Sequence, residues 1–122
     1  MWVCNYKKNV LFSFLGSGGY ASSSKSFIYS LYNINGYAPV KLQIKSGRNQ
    51  EAIYRHPSYG PRFGGNDIYI VNNAASNRHS YTHCGYTYPL PPGYSPSGSC
   101  TFYAGSYKFT PTDIEVFYET TT

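Results

Sequence analysis

Glycine and proline, twelve of one and eight of the other, fall between short apolar runs throughout this chain. No long helix can survive that punctuation, because a glycine weakens a helix interior by about 1 kcal/mol and a proline by about 3. Short strands joined by turns remain. The side chains agree: fifteen Tyr stand against a single Met, and aromatic residues make up 19% of the chain. Tyrosine fits a half-buried pleated surface better than a helix interior. A chain of 122 residues forms one domain, burying roughly 65% of the surface its unfolded form exposes. Charged residues at only 12% and abundant aromatics exclude intrinsic disorder.

The hydrophobic pattern places the strands. Phe27, Tyr29 and Leu31 alternate with Ile28 and Tyr32, as in a largely buried strand over 26–32. Asn35-Gly36 follows, a dipeptide suited to the positive φ angles of a tight turn. Val40-Lys41-Leu42-Gln43-Ile44 then alternates strictly, so the two segments read as an antiparallel hairpin, with Pro39 held to the turn or an edge. Ala52-Ile53-Tyr54 adds another strand, and His56 to Pro61 is a loop because two prolines and a glycine fix its dihedrals. Ile68-Tyr69-Ile70-Val71 is dense enough for a central strand buried on both faces. The segment 72–79 is a polar connection, Tyr86 to Tyr88 a short strand, and Pro89 to Ser99 a long irregular excursion of the kind that forms binding loops. Ser106 to Phe109 and Ile114 to Tyr118 close the strand set.

Charge is lopsided along the chain. Up to Arg62 there are eight Lys or Arg against Glu51 alone, a balance of +7, while the remainder carries −2 and the total is +5. These cations are scattered along alternating segments, which describes a solvated basic surface and not a nucleic-acid site. Three cysteines, Cys4, Cys84 and Cys100, cannot all pair within one chain, and no Asn begins a glycosylation sequon. Both observations point to the cytoplasm over a secreted, disulfide-stapled domain. Lys7, Lys8 and the apolar run Val10 to Leu15 imitate a secretory signal at its short limit, and no run reaches the ~20 apolar residues of a bilayer span.

Four segments in register carry a family resemblance: Ser26 to Leu31, Ala52-Ile53-Tyr54, Gly60-Pro61-Arg62-Phe63-Gly64-Gly65-Asn66-Asp67-Ile68-Tyr69-Ile70, and Asp113-Ile114-Glu115-Val116-Phe117. From about Gly18 to Tyr118 the chain resembles a TLDc domain, the module of the oxidation-resistance proteins. The resemblance divides it into a divergent segment 1–17, a partial domain 18–119 and a tail 120–122. It implies a mainly β fold, a sandwich of two antiparallel sheets with small helices and loops around it, incomplete on the N-terminal side. It also implies a non-catalytic protein-binding module without a cofactor, linked to oxidative-stress resistance, with vacuolar ATPase subunits as partner. Two departures stand out. Many members carry three consecutive glycines where this chain has only Gly64 and Gly65, a tighter turn. The upstream part of a complete domain is also missing, and residues 1–14 do not resemble it, which leaves sheet edges to be covered by a partner or a fragment without independent function.

The candidate contact residues are Phe63, Gly64, Gly65, Asp67 and Glu115. Paired glycines let a backbone approach a ligand, with Asp67 orienting it, or they simply shape a tight strand entry. Asp67 and Glu115 would be an acid and base pair only if they met in a cleft. His79, His83, Cys84 and Cys100 hold a zinc inventory, but their spacing is poor: the cysteines are sixteen apart, where a closed site sets them about two to four apart. Solvent-facing histidines and half-buried thiols are the expectation, with a redox-active Cys84 or Cys100 as an alternative. Gly16-Ser17-Gly18-Gly19 lacks the Lys of a phosphate loop, and Gly98-Ser99-Cys100 is no hydrolase elbow. Tyr86, Tyr88 and Tyr94 beside the proline-rich loop would serve a secreted carbohydrate-binding domain, or else packing.

Overall fold

The structure, a computed structural model, describes residues 2–5 (backbone only), 18–32, 35–95 and 100–112. Nine strands follow in chain order: β1 (Trp2–Asn5), β2 (Gly19–Ala21), β3 (Phe27–Ser30), β4 (Val40–Gln43), β5 (Ile53–Arg55), β6 (Arg62–Phe63), β7 (Ile68–Tyr69), β8 (Ser80–Tyr81) and β9 (Lys108–Phe109). Two 3-10 turns, Asn49–Glu51 and Ala74–Ser76, are the helical segments among the described residues. The protein is mainly β, as its punctuation and its family resemblance both imply.

All strand pairs are antiparallel and form two sheets, one of order β1-β3-β4 and one of order β2-β5-β6-β7-β8-β9. The β3–β4 hairpin is the one read from alternation, and Gly36 takes φ 81° at its turn. Ile28, Leu42 and Ile44 belong to the same apolar cluster as Ile53, Phe63, Ile68, Ile70 and Phe109 of the large sheet. The core is therefore the space between the sheets, closed by Tyr88, Cys100, Phe102 and Tyr103 from the loops.

Three expectations need correction. The strand from Phe27 ends at Ser30, and Leu31 and Tyr32 are 52% and 79% exposed. The run from Ile68 is central, but it is buried on one face only: Ile68 and Ile70 enter the core while Tyr69 stands on the outer face, half-buried. Tyr86 to Tyr88 is not a strand, for a reason that lies in the glycine motif described below. The divergent N-terminal segment, by contrast, contributes β1, whose pairing from Trp2↔Ser30 to Asn5↔Phe27 covers one edge of β3. The strand expected over 114–118 lies outside the described residues.

Candidate functional site

The glycine motif connects β6 to β7 through residues 64–67, and it brings Phe63, Gly64, Gly65 and Asp67 together. Phe63 is fully buried in the core. Asp67 is also fully buried, and its carboxylate accepts backbone hydrogen bonds from Tyr86 N at 3.1 Å, Thr87 N at 3.0 Å and Tyr88 N at 3.1 Å. Three amide donors of a distant loop are thus held by one side chain. This is why Tyr-Thr-Tyr, which alternates like a strand, forms none: its N–H groups are spent on a carboxylate and not on a ladder.

The two glycines make that approach feasible. Gly64 has φ 63°, and a Cβ there would run into Asp67 Oδ1 and come within 2.7 Å of Thr87 Cβ. A Cβ on Gly65 would lie 2.6 Å from the Tyr86 ring, and its N–H donates to Thr87 Oγ1 at 3.0 Å. Asn66, at φ 80°, supplies a further left-handed residue in the turn. Burial pushes the Asp67 carboxyl above its ordinary range, against the downward pull of the hydrogen bonds from Tyr88, Thr87 and Tyr86. The motif is a clamp beneath the surface, and Asp67 does not reach solvent. Glu115, its expected companion, lies outside the described residues.

The same clamp organises its surroundings. Tyr88 OH donates to Ala52 O at 2.9 Å and lies 2.7 Å from Ser26 Oγ, so this tyrosine is a buried pillar between the sheets. Arg48 lies over the Tyr86 ring at 4.3 Å and bonds its hydroxyl at 3.1 Å. Tyr94 packs edge-on to Tyr37 and Phe102. Of the three loop tyrosines, then, Tyr88 is fully buried, Tyr94 is half-buried against the core, and Tyr86, 47% exposed, is the one that stands in solvent.

The cysteines also depart from the half-buried thiols expected. Cys84 and Cys100 are joined in a disulfide with their Cα atoms 5.9 Å apart, closing the loop that follows the clamp. The thiols that the zinc quartet or a free reactive cysteine would need are consumed by that bond. His79 and His83 are exposed, and among the described residues no three His, Cys, Asp or Glu side chains gather into a metal site.

What the sequence reading missed lies on the outer face of the large sheet. Strand register aligns Tyr20↔Tyr54, Tyr54↔Arg62, Arg62↔Tyr69, Tyr69↔Tyr81 and Tyr81↔Lys108. One side chain from each of the six strands therefore shares a line across the sheet, about 24 Å long at the ~4.8 Å strand spacing. Ring centroids lie 5.1 Å apart for Tyr20–Tyr54 and 5.0 Å for Tyr69–Tyr81. The Arg62 guanidinium carbon sits 4.3 Å from the Tyr54 ring centroid and 5.6 Å from that of Tyr69. Tyr59 leans edge-on against Tyr69 at 5.6 Å with His56 stacked on it at 4.1 Å, and Tyr107 flanks Tyr81 at 5.6 Å. Burial pushes the Tyr69 and Tyr81 phenols above their ordinary values, so both keep their protons at neutral pH. The signal was in the sequence: in Ile53-Tyr54, Arg62-Phe63 and Ile68-Tyr69 each residue of this line adjoins a core residue, and alternation sends the two to opposite faces.

Fold and site together define a class: an antiparallel β-sandwich with a clamped loop beneath one end and an aromatic, cationic sheet face. Compared with protein-family profiles, curated proteins and solved structures, the chain finds no match.

Proposed function

We propose that the protein is a non-catalytic binding module that acts by contact through the outer face of its six-stranded sheet. The observation that carries this reading is the register-aligned line of Tyr20, Tyr54, Arg62, Tyr69 and Tyr81, one residue from each of five neighbouring strands. Tyrosine and arginine are among the residue types that concentrate binding energy at protein interfaces, tyrosine because it brings large contact area with few rotatable bonds and a polar tip, arginine because its planar guanidinium stacks on rings and offers several donors in a fixed fork. Here they are presented on strands, and strands hold contact groups more rigidly than loops do. Phe63, Gly64, Gly65 and Asp67 have the supporting role, fixing the β6–β7 turn that carries Arg62 and Tyr69 into line.

The TLDc resemblance leads to the same kind of activity, with vacuolar ATPase subunits as the partner, a link to oxidative-stress resistance and a cytoplasmic location. The disulfide bears on that location: a reducing cytoplasm keeps Cys84 and Cys100 as thiols, whereas an oxidising compartment keeps them joined. Among the described residues no helix is long and apolar enough to cross a membrane.

The test is co-sedimentation of the purified chain with vacuolar ATPase, comparing the parent with the Tyr20→Ser, Tyr59→Ser double variant. These tyrosines are 43% and 40% exposed, so replacing them leaves the core intact. The expected result is capture of the parent and at least a tenfold loss in the variant at unchanged melting temperature. Capture that ignores both substitutions would refute the face, and no capture of the parent would refute the partner.

A further inference from the structure

Charge and geometry on the tyrosine face narrow the kind of partner it can take. The Arg62 Nε–H is buried without an acceptor, and no hydrogen bond or ion pair satisfies the Arg62 guanidinium among the described residues. Its position is nevertheless fixed, because the Tyr54 ring lies against it on one side and Tyr69 on the other. The described acids do not serve it: Glu51 pairs with Arg48 at 3.4 Å, and Asp67 is spent on the Tyr86–Tyr88 amides. Eight Lys and Arg thus stand against two acids among the described residues, one of them buried Asp67 and the other the half-buried Glu51 already paired with Arg48.

The rings do not form a stacking platform. Adjacent planes meet at 76° for Tyr20–Tyr54, 50° for Tyr69–Tyr81 and 40° for Tyr81–Tyr107. Arg62 already covers one side of Tyr54, and His56 stacks on Tyr59 with planes 22° apart. Nucleobases and sugar rings need open, roughly parallel faces, and these faces are tilted or occupied. The phenol hydroxyls remain available: those of Tyr20, Tyr54, Tyr59, Tyr69 and Tyr81 have no hydrogen-bond partner among the described residues. A row of hydroxyl donors around a preorganised guanidinium suits carboxylates.

From this we infer that the face is a receptor for an acidic, extended protein segment laid across the strands, with a carboxylate taken by Arg62. The inference rests on the contact face proposed above and names its ligand. Register adds a spacing: Arg62 and Lys108 are three strand steps apart, about 14 Å. An extended peptide repeats the same side every two residues, about 6.8 Å, so acidic residues at i and i+4 reach both cations.

The probe is a fluorescein-labelled decapeptide of alternating Glu and Ala, titrated with the whole chain and read by fluorescence anisotropy, beside a six-nucleotide oligo-dT whose five phosphates match the five carboxylates. The expected result is saturable binding of the peptide that weakens with salt, falls at least tenfold in Arg62→Gln and recovers in part in Arg62→Lys, with thermal melts confirming that each variant is folded. Preference for the oligonucleotide would overturn the acidic-peptide assignment in favour of a nucleic acid. Peptide binding indifferent to Arg62→Gln and to Tyr20→Ser, Tyr59→Ser would overturn both this inference and the contact face. If the peptide fails to bind while vacuolar ATPase capture still depends on Tyr20 and Tyr59, the face stands and only its acidic ligand is refuted.

Discussion

Replacing Asp67 by Ala removes the acceptor for three amides, of which Thr87 N and Tyr88 N belong to buried residues. An unsatisfied buried donor costs roughly 1–3 kcal/mol. With some hydration of Tyr86 N–H at the exposed end, the loss comes to about 4 kcal/mol, a large share of the ~5–15 kcal/mol that stabilises a domain. The melting temperature should drop by about 15 °C, at roughly 4 °C per kcal/mol for a chain of this size. Gly64→Ala should cost about 3 kcal/mol, about 1 from the left-handed backbone and the rest from overlap with Asp67 Oδ1 and the Thr87 side chain. Because part of that overlap is with the carboxylate itself, the two substitutions should not add. In the Asp67→Ala background Gly64→Ala should cost about 1–2 kcal/mol less than in the parent. Urea unfolding of the four proteins of this cycle, followed by circular dichroism, measures the coupling. Strict additivity within about 0.5 kcal/mol, or an Asp67→Ala loss below about 1 kcal/mol, would refute the clamp.

Two further expectations concern the same region. Because burial raises the Asp67 carboxyl, the folded state holds its proton at a pH where the unfolded chain has released it. Its contribution is therefore full below the unfolded carboxylate range and declines as pH rises through the raised folded value. Urea midpoints of the parent relative to Asp67→Asn, taken from pH 3.5 to 8, should fall with rising pH, and a rise would reverse the sign of the argument. The Cys84–Cys100 bond spans a separation of 16 residues, which corresponds to about 3 kcal/mol of unfolded-state constraint. Cys84→Ser, Cys100→Ser should lower the melting temperature by about 10 °C and abolish its response to reductant. An intact mass no lighter than that of the fully reduced chain would show that the bond is absent.

The sequence made local order readable where periodicity acts alone. Alternation in Val40 to Ile44 and the Asn35-Gly36 turn located the β3–β4 hairpin, and Ser106 to Phe109 contained β9. The clamp was only half readable: Gly64, Gly65 and Asp67 stand out as a motif, but the amides they serve lie 19 to 21 residues away, and no local pattern announces such a pairing. That same pairing turned the Tyr-Thr-Tyr segment from strand into loop. The disulfide was obscured because three cysteines allow several pairings and spacing does not choose between them. Tyr69 was assigned to a doubly buried strand because tyrosine is at home both in a core and at a surface. Only the register between strands shows that it shares a line with Arg62 and Tyr81.

The proposed contact face is tested most directly by hydrogen–deuterium exchange of the chain alone and mixed with vacuolar ATPase, the proposed partner, resolved to short peptides. Slowed exchange concentrated in the segments 53–55, 62–69 and 80–81, with 26–30 and 40–43 of the other sheet unchanged, is the expected result. Protection confined to the small sheet or to the loop 89–95, with the six-stranded sheet exchanging as in the free chain, would contradict it.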